Sequence, residues 1–238
     1  TTTKKSLAEG KTTVAQIDAA CRRILEAKYK LGLFDDPYKY CDEKRAKTEI
    51  FTSASRKEAR QIAAQSLVLL KNQNQVLPLK KSGTIALIGP LADAKENMPG
   101  TWSVATKMEN AISLLAGIKE VAGPSVKVLY AKGSNLDYNE TFETNATMFG
   151  KTLHRDGRSK EELLAEALKV ANQSDVIVAA LGESAEMSGE SSSRTNLEIT
   201  KKQKDLLNAL LKTGKPVVLV LFDGRPLVIT EEEKTVPA

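Results

Sequence analysis

From residue 84 onwards, the sequence alternates short apolar runs with longer segments of helical period. Each run has the length of a strand and lacks polar alternation, which predicts a strand buried on both faces. The strand-like runs are 84–88, 126–131, 175–181 and 216–222. The segments with apolar side chains at helical spacing are 111–121, 160–172 and 200–212. This alternation predicts an α/β fold, in which a mostly parallel sheet is flanked by helices as a three-layer α/β/α sandwich.

The part of the chain before this alternation has a different pattern. Residues 14–33 carry apolar side chains at the helical period and predict an amphipathic helix. The passage 34–51 is polar and charged and has no clean period, so we interpret it as an interdomain linker. The alternative is that the N-terminal helix packs on the same domain. A further helix, capped by Ser53 or Ser55, is predicted to end at 72–74.

Composition and charge argue against several classes of protein. The chain has 238 residues, of which 41% are hydrophobic and 27% charged, and no apolar run is long enough to cross a membrane. The net charge is a modest +5, and the lysines are scattered rather than gathered with aromatic residues, so we expect no nucleic-acid partner. Cys21 and Cys41 offer neither a disulfide framework nor a metal-ligand spacing. We expect no metal and no cofactor.

The segment 135–158 is polar and long for a connection in a compact domain, which predicts a surface excursion or a lid. It contains Asn139 and Asn145 in glycosylation sequons, triplets that often arise by chance. It also contains His154, the only histidine. A lone histidine in a loop is far more often exposed and inert than catalytic.

The most informative segment is the polar loop that follows the third apolar run. This loop, residues 182–194, is rich in glycine and serine and contains three carboxylates and one guanidinium, at Glu183, Glu186, Glu190 and Arg194. In open α/β sheets, ligands bind at the carboxyl edge of the strands, where this loop is expected to lie. The small residues around Glu190 suit a positioned general acid better than a phosphate cradle. By itself, however, a loop glutamate is usually a solvated charge.

Two further loops should meet this one at the carboxyl edge. One follows the first strand-like run and contains Trp102, and the other is the segment 223–226 after the last run. Trp102 is the only tryptophan and lies between small residues rather than on an apolar face. Such an indole suits stacking on a flat ligand such as a sugar ring, and a partly buried loop anchor is the alternative.

Other catalytic interpretations fit less well. A serine hydrolase would need a second glycine after Ser184 and a histidine later in the chain, whereas His154 precedes that serine. No glycine-rich phosphate loop follows Ile88, which makes a nucleotide-binding domain a weak alternative. Paired carboxylates for glycosidic cleavage fit best, but the second carboxylate is not evident in the sequence.

The loop 182–194, together with the strand before it, resembles the acid/base loop of glycoside hydrolase family 3, in the β-glucosidase branch found in bacterial periplasms. The residues that carry the resemblance are Glu186-Met187-Ser188-Gly189-Glu190-Ser191-Ser192-Ser193-Arg194. Supporting stretches in the same order are 24–34, 64–72, 77–79, 85–90, 100–103, 128–133 and 214–226. The resemblance covers nearly the whole chain.

This resemblance implies a retaining hydrolase of two domains, in which a barrel carries the aspartate nucleophile and an α/β sandwich lends the acid/base glutamate. Glu190 matches that glutamate by position, and Trp102 matches the aromatic residue that stacks on the sugar beyond the cleaved bond. Arg194 is expected to bind substrate. Glu183 and Glu186 are close enough to be mistaken for the acid, but the motif matches residue by residue at Glu190.

The resemblance also implies how the chain is divided. Residues 1–34 would be a remnant of the preceding barrel, 35–52 an interdomain linker, and 53–238 an α/β sandwich domain without its last elements. The implied partners are a β-linked oligosaccharide or glucoside and the missing barrel domain, and the implied location is periplasmic or secreted. Because the nucleophile belongs to the barrel, we expect the chain alone to be inactive. The alternative is a non-catalytic carbohydrate-binding or scaffolding module.

Overall fold

A computed structural model of the chain describes residues 2–136, 155–190 and 192–238. His154 and the sequons at Asn139 and Asn145 lie outside the described residues. The chain divides into two compact units, Thr1–Val68 and Leu69–Ala238. The assignment of barrel remnant, linker and sandwich domain stays a prediction. In the described ranges, no helix combines the length and the apolar character needed to cross a lipid bilayer.

The first unit is helical. Its helices are α1 (Thr2–Ala8), α2 (Val14–Lys30), α3 (Arg45–Glu49) and α4 (Ser53–Ser66). α2 begins with a capping box, in which the Thr13 hydroxyl accepts a hydrogen bond from the Gln16 N–H and the Gln16 side chain accepts one from the Thr13 N–H. The predicted end of the next helix at 72–74 is wrong, because α4 ends at Ser66. The Ser66 hydroxyl donates to the carbonyl oxygen of Ala63 at 2.8 Å, a bond that competes with the helical ladder.

The second unit is built on a parallel sheet. Its strands are β1 (Gly83–Ile88), β2 (Val126–Ala131), β3 (Val176–Gly182) and β4 (Val217–Phe222). Their order is β2-β1-β3-β4, and every neighbouring pair is parallel. Ile88 at the end of β1 pairs with Ala131 at the end of β2, and Gly182 pairs with Phe222 at the ends of β3 and β4. The loops that leave these strands therefore start along one edge of the sheet.

Helices cover both faces of this sheet. They are α5 (Leu114–Ala122), α6 (Lys160–Asn172), α7 (Lys201–Leu211) and α8 (Thr230–Thr235), and short 3-10 helices lie at Gln73–Gln75, Lys95–Asn97, Met108–Asn110 and Ala185–Met187. On one face, Ile88 belongs to the same buried cluster as Ala167 of α6 and Leu206 of α7. On the other, Leu87 belongs to a cluster with Leu115 of α5. Alternate residues of β1 thus face opposite helical layers. The predicted three-layer α/β/α sandwich is confirmed.

Candidate active site

A cavity of about 410 Å³ lies at the carboxyl edge of the sheet. Its lining comes from three loops and consists of Asn97, Met98 and residues 100–102 after β1, residues 183–185, 188 and 189 after β3, and residues 222–224 at the end of β4. This volume is within the range of pockets that bind small ligands. The three loops that the sequence predicted to converge therefore meet around one cavity.

The β1 loop contributes an exposed indole and a buried hydroxyl. Trp102 lines the cavity with 64% of its surface exposed, so a flat apolar face is accessible for stacking. The neighbouring Thr101 is buried. Its hydroxyl donates to the carbonyl oxygen of Ser188 at 2.8 Å and also contacts that of Ala185. This threonine joins the β1 loop to the β3 loop.

The β3 loop leaves the sheet through a junction that is fixed by hydrogen bonds. The N–H of Gly182 donates to the side-chain oxygen of the fully buried Gln203 on α7, and the Gln203 amide donates to the carbonyl of Gly182, both at 2.8 Å. The N–H of Glu183 donates to the carbonyl of Phe222 at 2.8 Å. Gly182 has a φ of 129°, and a Cβ there would lie 1.9 Å from the carbonyl oxygen of Phe222. The junction therefore requires glycine.

A buried carboxylate and two guanidinium groups follow this junction. Glu183 is only 2% exposed; its Oε1 accepts a hydrogen bond from Arg194 Nη1 at 2.5 Å, and its Oε2 lies 3.4 Å from Arg225 Nε. Arg194 also donates to the carbonyl oxygen of Glu198 at 3.0 Å. Burial of a carboxylate is unfavourable unless it is paired, and the two arginines supply the pairing. The substrate contact expected of Arg194 stays a prediction.

Arg225 also binds the backbone of the loop. Its Nη2 donates to the carbonyl oxygens of Met187 at 2.5 Å and Ser192 at 3.0 Å. The Ser192 hydroxyl donates in turn to the carbonyl oxygen of Glu186 at 3.0 Å. These contacts hold the chain on both sides of Glu190.

Glu190 itself lies at the tip of the loop and is exposed, next to Gly189, which lines the cavity. Glu183 and Glu186, the two other carboxylates of the loop, are buried. The structure thus brings Trp102 and the loop that carries Glu190 to one cavity, and it places Arg194 at the base of that loop. The role of Glu190 as the acid stays a prediction.

The sequence placed the segment 223–226 at this edge, but it assigned no role to Asp223 or Arg225 and did not point to Gln203, and all three side chains shape the site. Asp223 lines the cavity; burial raises the pKa of its carboxyl, and the negative charge of Glu183 raises that pKa further. Arg225 and Gln203 hold the β3 loop. Gln203 could have been found, because it shares a helical face with the buried Leu206 and Leu210. No local pattern signals that Arg225 binds a loop so far back in the chain.

Residues 67–238 match the family profile of the glycosyl hydrolase family 3 C-terminal domain. The chain belongs to glycoside hydrolase family 3. It is 44% identical over 232 residues to the periplasmic beta-glucosidase of Salmonella typhimurium, an alignment that covers 96% of this chain and 30% of that protein. It is 35% identical over 241 residues to a beta-xylosidase of Formosa agariphila, with 99% of this chain and 30% of the relative covered.

Solved structures of the family share the fold. The beta-glucosidase of Listeria innocua in complex with isofagomine has a TM-score of 0.80 and 31% sequence identity, and the match covers 98% of this chain and 29% of that one. The resemblance inferred from the motifs is confirmed. The chain spans about 30% of the length of the two curated relatives.

Proposed function

We propose that this chain is the α/β sandwich domain of a retaining β-glucosidase-type hydrolase and that it supplies the general acid/base and part of the sugar site. The observation that best supports the proposal is the β3 loop, which is fixed at its base and exposes Glu190 beside a cavity that Trp102 lines. The relatives named beta-glucosidase and beta-xylosidase support a β-linked glucoside or oligosaccharide as substrate. The relative named periplasmic supports a periplasmic or secreted location.

In the proposed mechanism, Glu190 protonates the departing glycosidic oxygen and then takes a proton from the water that hydrolyses the glycosyl-enzyme ester. The nucleophile is an aspartate on the barrel domain of the same protein, held roughly 5 Å from the acid. Trp102 stacks on the sugar beyond the cleaved bond, and Arg194 contributes to substrate binding. Glu183 is a poorer acid candidate, because two guanidinium groups already engage its carboxylate.

The decisive experiment replaces Glu190 in the full-length protein. Glu190→Ala should slow hydrolysis of aryl β-glucosides with poor leaving groups by about 10²–10⁴-fold, the typical contribution of general acid catalysis. Good leaving groups need little protonation, so their kcat/KM should be affected much less. Azide, which attacks the glycosyl-enzyme without needing a base, should restore turnover of substrates with good leaving groups, because breakdown of the glycosyl-enzyme limits their rate.

The matched control is Glu231→Ala, which removes an exposed glutamate from α8 and should leave the kinetics unchanged. The proposal would be contradicted if Glu190→Ala lowered the hydrolysis rate equally for all leaving groups and if azide did not raise the rate of the variant.

We also propose that the chain alone does not turn over glycosides, because a single acid cannot form the covalent intermediate. An assay of the isolated chain with an aryl β-glucoside should stay at background. Activity above background that Glu190→Gln abolishes would show the opposite.

A non-catalytic carbohydrate-binding module is the second candidate, and the exposed indole of Trp102 is the observation that favours it. The Glu190→Ala experiment separates the two functions, because a binding module predicts no azide rescue. A nucleotide-binding domain would show thermal stabilisation by NAD or ATP, and we expect none.

A further inference from the structure

Glu183 has no part in the proton transfer proposed for Glu190, yet its carboxylate is central to the contacts that shape the β3 loop. Its backbone N–H is bonded to Phe222 of β4, so the sheet fixes where this residue starts. Its side chain is 1% exposed and contacts both Arg194 and Arg225. The carboxylate therefore has a fixed position and orients the side chains of both arginines.

Arg225 connects this fixed point to the tip of the loop. Its Nε faces Glu183 Oε2 at 3.4 Å, and its Nη2 donates to the carbonyl oxygens of Met187 and Ser192. These two residues lie three positions before and two positions after Glu190. Because a guanidinium is planar and rigid, an anion that orients one side of the fork also orients the other. One guanidinium thus spans the segment that presents Glu190.

Arg194 holds the segment that follows the tip. It binds Glu183 Oε1 and the carbonyl oxygen of Glu198, the residue that forms an isolated parallel bridge with Val228. Loss of the Glu183 charge would leave two largely buried guanidinium groups beside a neutral side chain. Buried charges without a counter-charge are strongly unfavourable. We expect both arginines to turn towards solvent and to release the loop.

We propose that Glu183 is a positioning residue for the general acid/base: through Arg225 and Arg194, it holds the loop that presents Glu190 to the bond being cleaved. The inference rests on the proposed function of Glu190. It assigns no proton transfer to Glu183. A loop that is held in this way delivers the acid in one geometry, which general acid catalysis requires.

The test uses Glu183→Gln in the full-length protein, because glutamine keeps the shape and one acceptor oxygen while it removes the charge. We expect kcat/KM to fall about 10-fold or more for poor leaving groups and much less for good ones, since kcat/KM reports the first step, in which only poor leaving groups depend on protonation by the acid. KM should change by less than about 3-fold, because the lost interaction acts in the transition state. The control is Glu166→Gln, which removes the charge from another Glu–Arg pair, 2.8 Å between Glu166 Oε2 and Arg158 Nη1, and should match the parent.

A double variant separates positioning from general structural support. If Glu183 acts through Glu190, Glu183→Gln should have less than about a 2-fold effect in a Glu190→Ala background, because effects of residues that act as a unit are not additive. A merely structural role would lower activity equally in both backgrounds. Arg225→Lys is the second variant; it keeps the charge beside Glu183, loses the fork and should reproduce the kinetic pattern of Glu183→Gln. Circular dichroism melts would show that the variants compared are folded.

Parent-like dependence on the leaving group in both Glu183→Gln and Arg225→Lys would overturn the inference, and so would equal losses in the two backgrounds. The proposed function would survive either result as long as Glu190→Ala shows its own leaving-group dependence and azide rescue. If Glu190→Ala shows neither, the proposed function fails, and that single variant reveals it.

Discussion

The base and the tip of the β3 loop belong to one short segment but are held in opposite ways. At the base, Gly182 and Glu183 are buried and are bonded to α7, β4 and two arginines. At the tip, Gly189 and Glu190 are exposed, and backbone contacts on either side define their position. The difference separates the residues that give the loop its shape from the residue proposed to react. Variants at the base should therefore cost more stability than variants at the tip.

The largest expected effect on stability is at the junction with the sheet. Gly182→Ala should lower the free energy of unfolding by about 4 kcal/mol or more, because the new methyl group would collide with the Phe222 carbonyl in a fixed backbone. Urea unfolding of the chain measures this loss. Gly214→Ala is the control, since that glycine has a φ of +73° and open space around it; the expected loss is about 1 kcal/mol. Similar losses at both glycines would contradict a tightly packed base.

The second expected effect is at Gln203. Gln203→Leu should cost about 2 kcal/mol or more, because it leaves the buried N–H and carbonyl of Gly182 without their partner. Thermal unfolding would measure the change. Asn208→Ala, on the exposed side of the same helix, should stay within about 0.5 kcal/mol of the parent. A Gln203→Leu chain as stable as the parent would show that the hydrogen bonds between Gln203 and Gly182 do not stabilise the junction.

A smaller effect is expected at the start of the tip. Gly189 has a φ of +113°, and a Cβ there would lie 2.7 Å from Thr101 Cγ2, so Gly189→Ala should cost about 1–2 kcal/mol. Adding Thr101→Ser removes the colliding methyl group and keeps the hydroxyl. The double variant should recover part of the loss in a denaturant titration. If the two substitutions are simply additive, the contact between the β1 and β3 loops is not tight at this point.

A weaker effect, on pH dependence, is expected at Asp223. Burial raises the pKa of Asp223 above its ordinary value of 3.8, and the charge of Glu183 adds to the rise. Because the pKa of Asp223 is higher in the folded state, its protonated carboxyl contributes fully to the free energy of unfolding below the pKa of the unfolded chain. That contribution is lost as pH rises through the pKa of the folded state. The stability of the parent relative to Asp223→Asn should therefore decline as pH increases from below 3.8 through the raised folded-state pKa of Asp223. In Glu183→Gln that decline should end at a lower pH. An unchanged dependence of stability on pH would show that the Glu183 charge does not raise the pKa of Asp223.

The smallest effect on stability is expected at Glu190. Glu190→Gln should change the free energy of unfolding of the chain by less than about 0.5 kcal/mol, because the Glu190 side chain is exposed. Thermal unfolding of the chain measures this change. The same variant of the full-length enzyme is expected to lose most of its activity. A marked loss of stability would show that Glu190 belongs to the packed base of the loop and not to its reactive tip.

Much of the fold and of the site could be predicted from the sequence, and the exceptions have physical causes. Strands buried on both faces produce continuous apolar runs, so β3 was predicted almost residue for residue. The end of α4 was predicted too late, because the apolar residues after Ser66 continue the composition of a helix without continuing its hydrogen bonds. The burial of Glu183 left no local signal, since it depends on contacts with Arg194 and Arg225.

By itself, the sequence determined the alternation of strands and helices, the parallel sheet and the edge at which the polar loops would meet, because these follow from local hydrophobic periodicity. Only the tertiary structure made the three glutamates of one loop different from each other. It buries Glu183 between two guanidinium groups, one of them from the loop after β4, and leaves Glu190 exposed. The physical reason is that burial and ion pairing depend on which chain segments are brought together in space. The types of residue and their spacing along the chain do not specify which segments become neighbours.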